Sequence, residues 1–113
     1  MENHLVTAVK RYIEERIYEN PTLSDICESL GYSKSYLSRL FREQTGGSIA
    51  NYAVRAKINR AKEMIRDGSM NFSEISDRLA FDNPQYFSRV FKRESKMTPS
   101  EFKNSLDIKA RLK

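Results

Sequence analysis

The sequence is poor in the residue types on which most enzyme and metal sites depend. It has one histidine (His4), one cysteine (Cys27) and only four glycines. A catalytic triad would have no suitable base, no Cys/His cluster has the spacing of a metal site, and no glycine-rich loop is present to hold a phosphate. The sequence therefore predicts no enzyme activity, no catalytic residue, no metal site and no cofactor.

Disulfides and long apolar runs are missing as well. A single cysteine cannot form an internal disulfide. No run of about 18 apolar residues occurs, and the amino terminus shows no apolar segment typical of a signal peptide. We therefore expect neither membrane insertion nor export, and the reducing cytoplasm is the expected location.

The charge balance favours an anionic partner. Twenty Lys and Arg residues against 15 Asp and Glu give a formal charge of +5 and a pI near 9.4. A chain of 113 residues with 39% apolar content suits one compact domain or two very small ones that share a helix. Ribosomal and membrane-surface proteins are equally basic, so charge alone does not select nucleic acid.

A duplicated pattern is the strongest signal in the chain. One copy runs from Leu23 to Arg42, and a second runs from Phe72 to Lys92 with one residue added in the intervening turn. The first segment of the first copy carries apolar residues at i, i+3, i+4 and i+7: Leu23, Ile26, Cys27 and Leu30. This spacing predicts a short helix, ended by Gly31, before a second helix.

The second helix of each copy separates apolar from polar residues. Its inward face is apolar: Leu37, Leu40 and Phe41 in the first copy, and Phe87, Val90 and Phe91 in the second. Its outward face is polar and basic: Ser35, Ser38, Arg39 and Arg42, then Gln85, Ser88, Arg89 and Lys92. This pattern is typical of a helix-turn-helix, whose second helix enters the major groove of DNA.

The whole chain is predicted to be all-α, with about seven helices and two helix-turn-helix subdomains joined by a long linker helix. The expected parts are a first subdomain at 1–47, the linker helix at 48–67, a second subdomain at 68–104 and a basic tail at 105–113. That tail could be disordered, a helix extension or a DNA-contacting arm.

Local signals mark the ends of several helices. A first helix is expected from about His4 to Tyr18, ended near Pro21. Capping residues are expected to start three later helices: Thr22, Asn71 with Glu74, and Thr98 with Glu101.

The linker helix sets the distance at which the two motifs act. About 20 residues at 1.5 Å each give roughly 30 Å, close to the ~34 Å between successive major-groove faces on one side of B-DNA. One chain is therefore expected to place two recognition helices in adjacent grooves without dimerising. A site that is out of phase would have to bend.

These residues resemble the DNA-binding domain of the AraC/XylS family of bacterial transcription regulators, over most of the chain from about Leu5 to Phe102. The resemblance is carried by Leu30-Gly31-Tyr32-Ser33 and Tyr36-Leu37-Ser38-Arg39-Leu40-Phe41, and by Phe81, Gln85-Tyr86-Phe87-Ser88-Arg89-Val90-Phe91-Lys92 and Thr98-Pro99. It implies a homeodomain-like, sequence-specific DNA-binding regulator of a promoter or operator. Many members are activators that contact RNA polymerase and carry a separate sensing or dimerisation domain. A small stand-alone regulator and a part of a larger one both fit these residues.

Three positions depart from the family pattern. Ala80 and Lys96 stand where the family usually has glycine, and Lys103 stands where arginine is common. Since an alanine in a left-handed conformation costs about 1 to 2 kcal/mol, the second turn is expected to be strained or differently shaped.

By the resemblance, the base-contacting residues are Ser35, Tyr36, Ser38, Arg39, Gln85, Tyr86, Ser88 and Arg89. Arg39 and Arg89 suit a bidentate contact with guanine, the alternatives being phosphate or solvent. Gln85 fits adenine or simple exposure, and the serines fit base, phosphate or water. The two tyrosines fit a thymine methyl group, a phosphate or partial burial within their own motif.

Phosphate contacts are expected from other residues: Lys34, Arg42, Lys92, Arg93, Arg55 and Lys57. The backbone amides near Ser33 and Asn83, at the starts of the recognition helices, are further candidates. Six to ten such contacts would lower affinity by about 10³ to 10⁵-fold between 50 and 200 mM salt.

Two other functions compete with this interpretation. Cys27 could accept a methyl group, as in DNA-repair regulators with a related module, although its apolar stripe favours a small core residue. Alternatively, the chain is a helical protein-interaction module whose second motif contacts a protein such as RNA polymerase. Salt-sensitive DNA binding that is lost in both Arg39→Ala and Arg89→Ala would separate DNA reading from that alternative.

Overall fold

The computed structural model describes residues 2–112 and divides into two compact units, Met1–Ala56 and Lys57–Lys113. Over residues 2–112 it contains seven helices and no strand, which confirms the all-α prediction. The helices are α1 (His4–Glu15), α2 (Leu23–Leu30), α3 (Lys34–Thr45), α4 (Ile49–Asp67), α5 (Phe72–Arg78), α6 (Pro84–Ser95) and α7 (Pro99–Arg111). Met1 and Lys113, which fall in the predicted segments 1–47 and 105–113, lie outside the described residues.

The first unit packs α1, α2 and α3 around one apolar core, to which the start of α4 contributes. Its buried residues are Leu5, Val6, Val9, Ile13, Ile26, Cys27, Leu37, Phe41 and Ile49. The ring of Tyr52 in α4 meets that of Phe41 edge to face, with centroids 5.8 Å apart. Burying these side chains is the main stabilising contribution available to a unit of this size.

The second unit repeats this packing with more aromatic residues. Its core contains Ile58, Ala61, Met64, Ile65, Ile75, Leu79, Phe87, Val90, Phe91 and Phe102. Four rings follow one another with centroids 5.2, 5.8 and 5.7 Å apart: Phe81, Phe87, Phe91 and Phe102. These tilted and edge-on pairs add to the burial energy, and the Phe91–Phe102 pair joins α6 to α7.

The duplication is longer than the helix-turn-helix motif. The buried Ile58, Ala61 and Ile65 of α4 have the same spacing as Val6, Val9 and Ile13 of α1. The Phe91–Phe102 pair, at 5.7 Å and 66°, matches the Phe41–Tyr52 pair, at 5.8 Å and 71°. Helix α4 therefore serves as the last helix of the first unit and the first helix of the second.

Three of the helix starts are reciprocal capping boxes: the sequence predicts those at Asn71 and Thr98, and it predicts Thr22 as a cap. Thr22 accepts the N–H of Asp25 at 3.1 Å, while the Asp25 carboxylate accepts the Thr22 N–H at 2.8 Å. The same exchange occurs at Asn71 with Glu74 and at Thr98 with Glu101. Each box satisfies two backbone donors that the helix itself cannot pair.

Helix α1 is shorter than predicted. It ends at Glu15 rather than near Tyr18, because Arg16 leaves the helical conformation with φ −118°. Ile17 is nevertheless buried, with 5% of its surface exposed. Its spacing from Ile13 imitates a further helical turn, which is why the apolar pattern overestimates the length of α1.

The last helix, α7, continues through residues 105–111 of the segment predicted as a basic tail. Ile108 and Leu112 are exposed there, at 55% and 82%. Among the helices of residues 2–112, none combines the length and the apolar character that a bilayer crossing requires.

Candidate nucleic-acid interface

The second helix of the first motif, α3, has a buried apolar face and an exposed polar face. Ser33 caps its start, with its hydroxyl oxygen accepting the N–H of Tyr36 at 3.2 Å. Leu37 and Phe41 are 1% and 2% exposed, which holds the other face towards solvent. The predicted DNA-contacting residues of this helix are all exposed: Lys34, Ser35, Tyr36, Ser38, Arg39 and Arg42.

The corresponding helix of the second motif, α6, has the same division. The side-chain oxygen of Asn83 accepts the N–H of Tyr86 at 2.7 Å, and Pro84 occupies the first turn. Phe87 and Phe91 are completely buried. Five of the six predicted DNA-contacting residues are exposed: Gln85, Tyr86, Arg89, Lys92 and Arg93. The sixth, Ser88, is half-buried.

A tyrosine near the start of each recognition helix is exposed and also braced by the preceding turn. Tyr36 is 40% exposed and stacks on Tyr32, with centroids 5.5 Å apart. Tyr86 is 42% exposed and lies 6.0 Å from the ring of Phe81. Each ring is therefore accessible to a partner in a position that its own motif restricts.

The two exposed faces are similarly charged. Helix α3 carries Lys34, Arg39 and Arg42 against one acidic residue, and α6 carries Arg89, Lys92 and Arg93 against one. Arg93 Nε lies 3.2 Å from the Glu94 carboxylate, with its own side chain 61% exposed. Such a surface pair contributes little to stability, so a phosphate can compete for this guanidinium.

The helix starts differ in the backbone donors they offer. The N–H groups of Lys34 and Ser35 have no acceptor within α3, as in the first turn of any helix. In α6, Pro84 has no N–H. Anion binding through backbone amides is therefore better supported near Ser33 than near Asn83.

A cavity of about 460 Å³ lies beside α3 in the first unit. Ser38 and Arg42 contribute to its wall, together with the first residues of α2 and α4. Two helix starts and one guanidinium thus border the same depression, whose other wall residues are mainly apolar.

Lys57 is buried, although the sequence predicted that it contacts phosphate. It is only 9% exposed, and its Nζ donates a hydrogen bond to the carbonyl oxygen of Leu79 within the second unit. Burial lowers the pKa of Lys57 to about 8. The prediction that Lys57 contacts phosphate is therefore wrong, because it lies on the inner side of α4 next to Ile58. Arg55, by contrast, lies exposed.

The turn of the second motif keeps a left-handed residue but is longer, with residues 79–83 between α5 and α6 against residues 31–33 between α2 and α3. Ala80 adopts φ 60° where Gly31 has φ 80°. In both turns the next N–H bonds back to the preceding helix: Tyr32 to the Cys27 carbonyl at 3.1 Å, and Phe81 to the Ser76 carbonyl at 3.0 Å. The expectation of strain is met by Ala80, and the second turn also differs in shape, because the N–H of Ala80 bonds to the Asp77 carbonyl three residues back whereas that of Gly31 bonds to the Cys27 carbonyl four residues back.

Lys96 repeats this substitution at the end of α6. It has φ 66°, where Gly46 at the end of α3 has φ 83°. Its N–H bonds to the Lys92 carbonyl at 2.8 Å, as that of Gly46 does to the Arg42 carbonyl. Lys103, the third departure from the family pattern, is exposed on α7.

The alternative chemistry at Cys27 is not supported. Its side chain is 7% exposed and belongs to the core of the first unit, as a small core residue should. Within residues 2–112, no three His, Cys, Asp or Glu side chains form a group that could hold a metal ion.

Comparison with known proteins agrees with this geometry. A family model described as a helix-turn-helix domain matches residues 26–105. The transcriptional activator RhaR of Yersinia pseudotuberculosis is 36% identical over 81 residues, which are 72% of this chain and 28% of that protein. The chain therefore spans little more than a quarter of this relative.

Solved structures share the fold. An AraC-type regulator from Chromobacterium violaceum superposes with a TM-score of 0.85 at 25% identity, over 89% of this chain and 90% of that one. The DNA-binding domain of AdpA, solved with a target DNA, has a TM-score of 0.83 over 92% of this chain and 94% of its own, and at 16% identity shows the fold alone. The relatives are regulators rather than enzymes. With two helix-turn-helix motifs, a matching family model and a regulator at 36% identity, the chain belongs to the AraC family of transcription regulators, as its DNA-binding domain.

Proposed function

We propose that the chain reads a promoter or operator as one molecule, with α3 and α6 in two adjacent segments of the major groove. The observation that carries this proposal is the matching exposed face of the two helices, polar and basic in each and opposite a buried apolar face. A recognition helix needs this division, since one side must pack and the other must reach base edges.

The length of α4 supports reading by a single chain. Its 19 residues correspond to about 28 Å of helix. Successive major-groove faces on one side of B-DNA are ~34 Å apart. A helix of this length suits motifs that act about one turn of DNA apart.

Base reading is assigned to the residues near the start and middle of each exposed face: Ser35, Tyr36, Ser38, Arg39, Gln85, Tyr86, Ser88 and Arg89. Phosphate contact is assigned to Lys34, Arg42, Lys92, Arg93 and Arg55.

The regulatory role that we propose for the chain is based on its relatives. Because RhaR is a transcriptional activator, we propose that this chain also acts in activation, in the cytoplasm, with RNA polymerase as a further partner. A sensing or dimerisation domain outside these residues is part of the same proposal. In the competing function, the second motif contacts a protein and α6 does not read DNA.

The assignment of base contacts is tested by selecting bound duplexes from a random pool, first with the wild-type chain and then with two variants. Arg39→Ala should relax base preference within one half of the site, and Arg89→Ala within the other half, each by about 1 to 3 kcal/mol. Arg11→Ala is the control, because Arg11 is an exposed charge of α1 outside the assigned contacts. A site preference that Arg89→Ala leaves unchanged would favour the competing function.

Salt dependence separates phosphate contact from base reading. Lys92→Ala should weaken binding to all sequences about equally and reduce the salt slope by about one. A footprint that covers a single groove segment would contradict docking through both motifs.

A further inference from the structure

Lys57 is buried in the second unit although its side chain can carry a charge. Its exposed fraction is 9%, and burial lowers its pKa to about 8. Removing an ammonium group from water is unfavourable unless polar partners compensate for the loss. A lysine at this point in α4 is therefore expected to have a role that an apolar residue could not perform.

The partner of Lys57 is the turn of the second helix-turn-helix motif. Its Nζ donates to the carbonyl oxygen of Leu79, the residue that ends α5. The same Nζ lies 5.9 Å from the centroid of the Phe81 ring. These two contacts lie on either side of Ala80, the residue in the left-handed conformation.

From the turn, the contacts continue into α6. The ring of Phe81 lies 5.2 Å from Phe87, which is buried, and 6.0 Å from Tyr86, which is exposed on the recognition face. The position of Phe81 therefore affects both the packing of α6 and the ring that α6 presents. Phe81 therefore connects Lys57 to α6.

The first unit has an apolar residue at the position that matches Lys57. Matching Ile58 to Val6 puts Leu5 at the position of Lys57, and Leu5 is an apolar core residue, 8% exposed. The turn of that unit contains Gly31, which adopts positive φ without strain. The buried ammonium thus occurs in the unit whose turn has alanine instead of glycine.

We infer that Lys57 is a positioning residue, whose ammonium group holds the turn between α5 and α6 in its left-handed form and so orients the base-reading face of α6. The inference rests on the proposed function, because it assumes that α6 reads DNA. It assigns an effect on recognition to a buried residue that lies outside the assigned DNA contacts.

Three substitutions test this role through DNA discrimination. Lys57→Met removes the donor at similar length, Lys57→Arg keeps a donor, and Leu5→Met is the control at the matching position of the first unit. Lys57→Met should lose about tenfold discrimination in the half-site read by α6 and none in the other. Lys57→Arg should restore most of it, and Leu5→Met should leave both halves unchanged.

Amide hydrogen exchange provides a measurement that does not depend on DNA. Lys57→Met should raise the exchange rate of the Phe81 amide, which bonds to the Ser76 carbonyl across the turn. If the wild-type chain reads only one half-site, the proposed function fails, while this exchange rate still decides whether Lys57 holds the turn. Unchanged exchange together with unchanged discrimination overturns the inference.

Ala80→Gly supplies a further test, because glycine removes the strain that Lys57 is inferred to oppose. In the Ala80→Gly background, Lys57→Met should cost little discrimination. A double variant that is as defective as Lys57→Met alone, in folding or in binding, overturns the inference.

Discussion

At the scale of single residues, the two units differ at two positions of positive φ. Gly31 and Gly46 end α2 and α3, whereas Ala80 and Lys96 hold the equivalent positions in the second unit. A side chain in this conformation costs about 1 to 2 kcal/mol. Part of that cost is offset because glycine has more freedom to lose on folding.

This difference predicts opposite effects of reciprocal substitutions. Gly31→Ala should destabilise the chain by about 0.5 to 1 kcal/mol through backbone strain alone, because an added Cβ there meets no atom within 4 Å. Ala80→Gly and Lys96→Gly should stabilise it by a similar amount. Urea unfolding followed by circular dichroism measures each change. Gly47→Ala, at an ordinary φ with open space, is the control.

Lys57 predicts a dependence of stability on pH. Its pKa is lowered from 10.5 to about 8 in the folded chain. Between these values the unfolded chain holds the extra proton, so the free energy of unfolding should rise with pH from about 8 to 10.5. Below pH 8 Lys57 is protonated in both the folded and the unfolded chain, so it no longer makes the free energy of unfolding depend on pH.

The Lys57→Met variant isolates this effect. The wild type should gain on the order of 2 kcal/mol relative to the variant between pH 7.5 and pH 10.5. Urea titrations of both proteins at these two pH values provide the comparison. An equal pH dependence in the two proteins would show that Lys57 titrates normally.

At the scale of helices, capping residues control how firmly a recognition helix begins. The Asn83 side chain caps α6 immediately before Gln85 and Tyr86, which are assigned to base contact. Asn83→Ala should destabilise the chain by about 1 kcal/mol in urea unfolding. Asn104→Ala, an exposed change within α7, should be neutral or slightly stabilising. Equal effects would mean that the cap contributes nothing.

The helix pattern was predicted well wherever its cause is local. The starts at Thr22, Asn71 and Thr98 depend on side chains within three residues of the helix end. The predicted end of α1 was wrong. Ile17 is buried although it lies beyond the end of the helix, and its spacing from Ile13 resembles that of a helical turn. Periodicity reports which residues are buried, and it reports their backbone conformation only indirectly.

At the scale of the whole molecule, the proposal depends on the distance between two reading helices. Inserting five base pairs between the half-sites moves one of them to the opposite side of the duplex. Affinity should then fall about 10- to 100-fold, because one motif loses its base contacts. Fluorescence anisotropy with labelled duplexes measures the loss, and the same insertion outside the site is the control.

A ten-base-pair insertion distinguishes phase from distance. It restores the side of the duplex but adds a full turn, which exceeds what the ~28 Å of α4 suits. It should therefore bind as weakly as the five-base-pair insertion. Full recovery would contradict a linker of fixed length.

The sequence by itself determined the starts of most helices, their caps and the outward faces of α3 and α6, because periodicity and capping depend on neighbours along the chain. Only the tertiary structure decided the positions of Lys57 and α4. Lys57 is buried because its ammonium group meets the carbonyl oxygen of Leu79, just after the end of α5 and 22 residues further along the chain. The same packing makes α4 a member of both units, because Tyr52 joins the core of one while Ile58 joins that of the other. A local pattern could not reveal either result, since a lysine beside an apolar stripe is equally compatible with solvent until the opposing helix is placed.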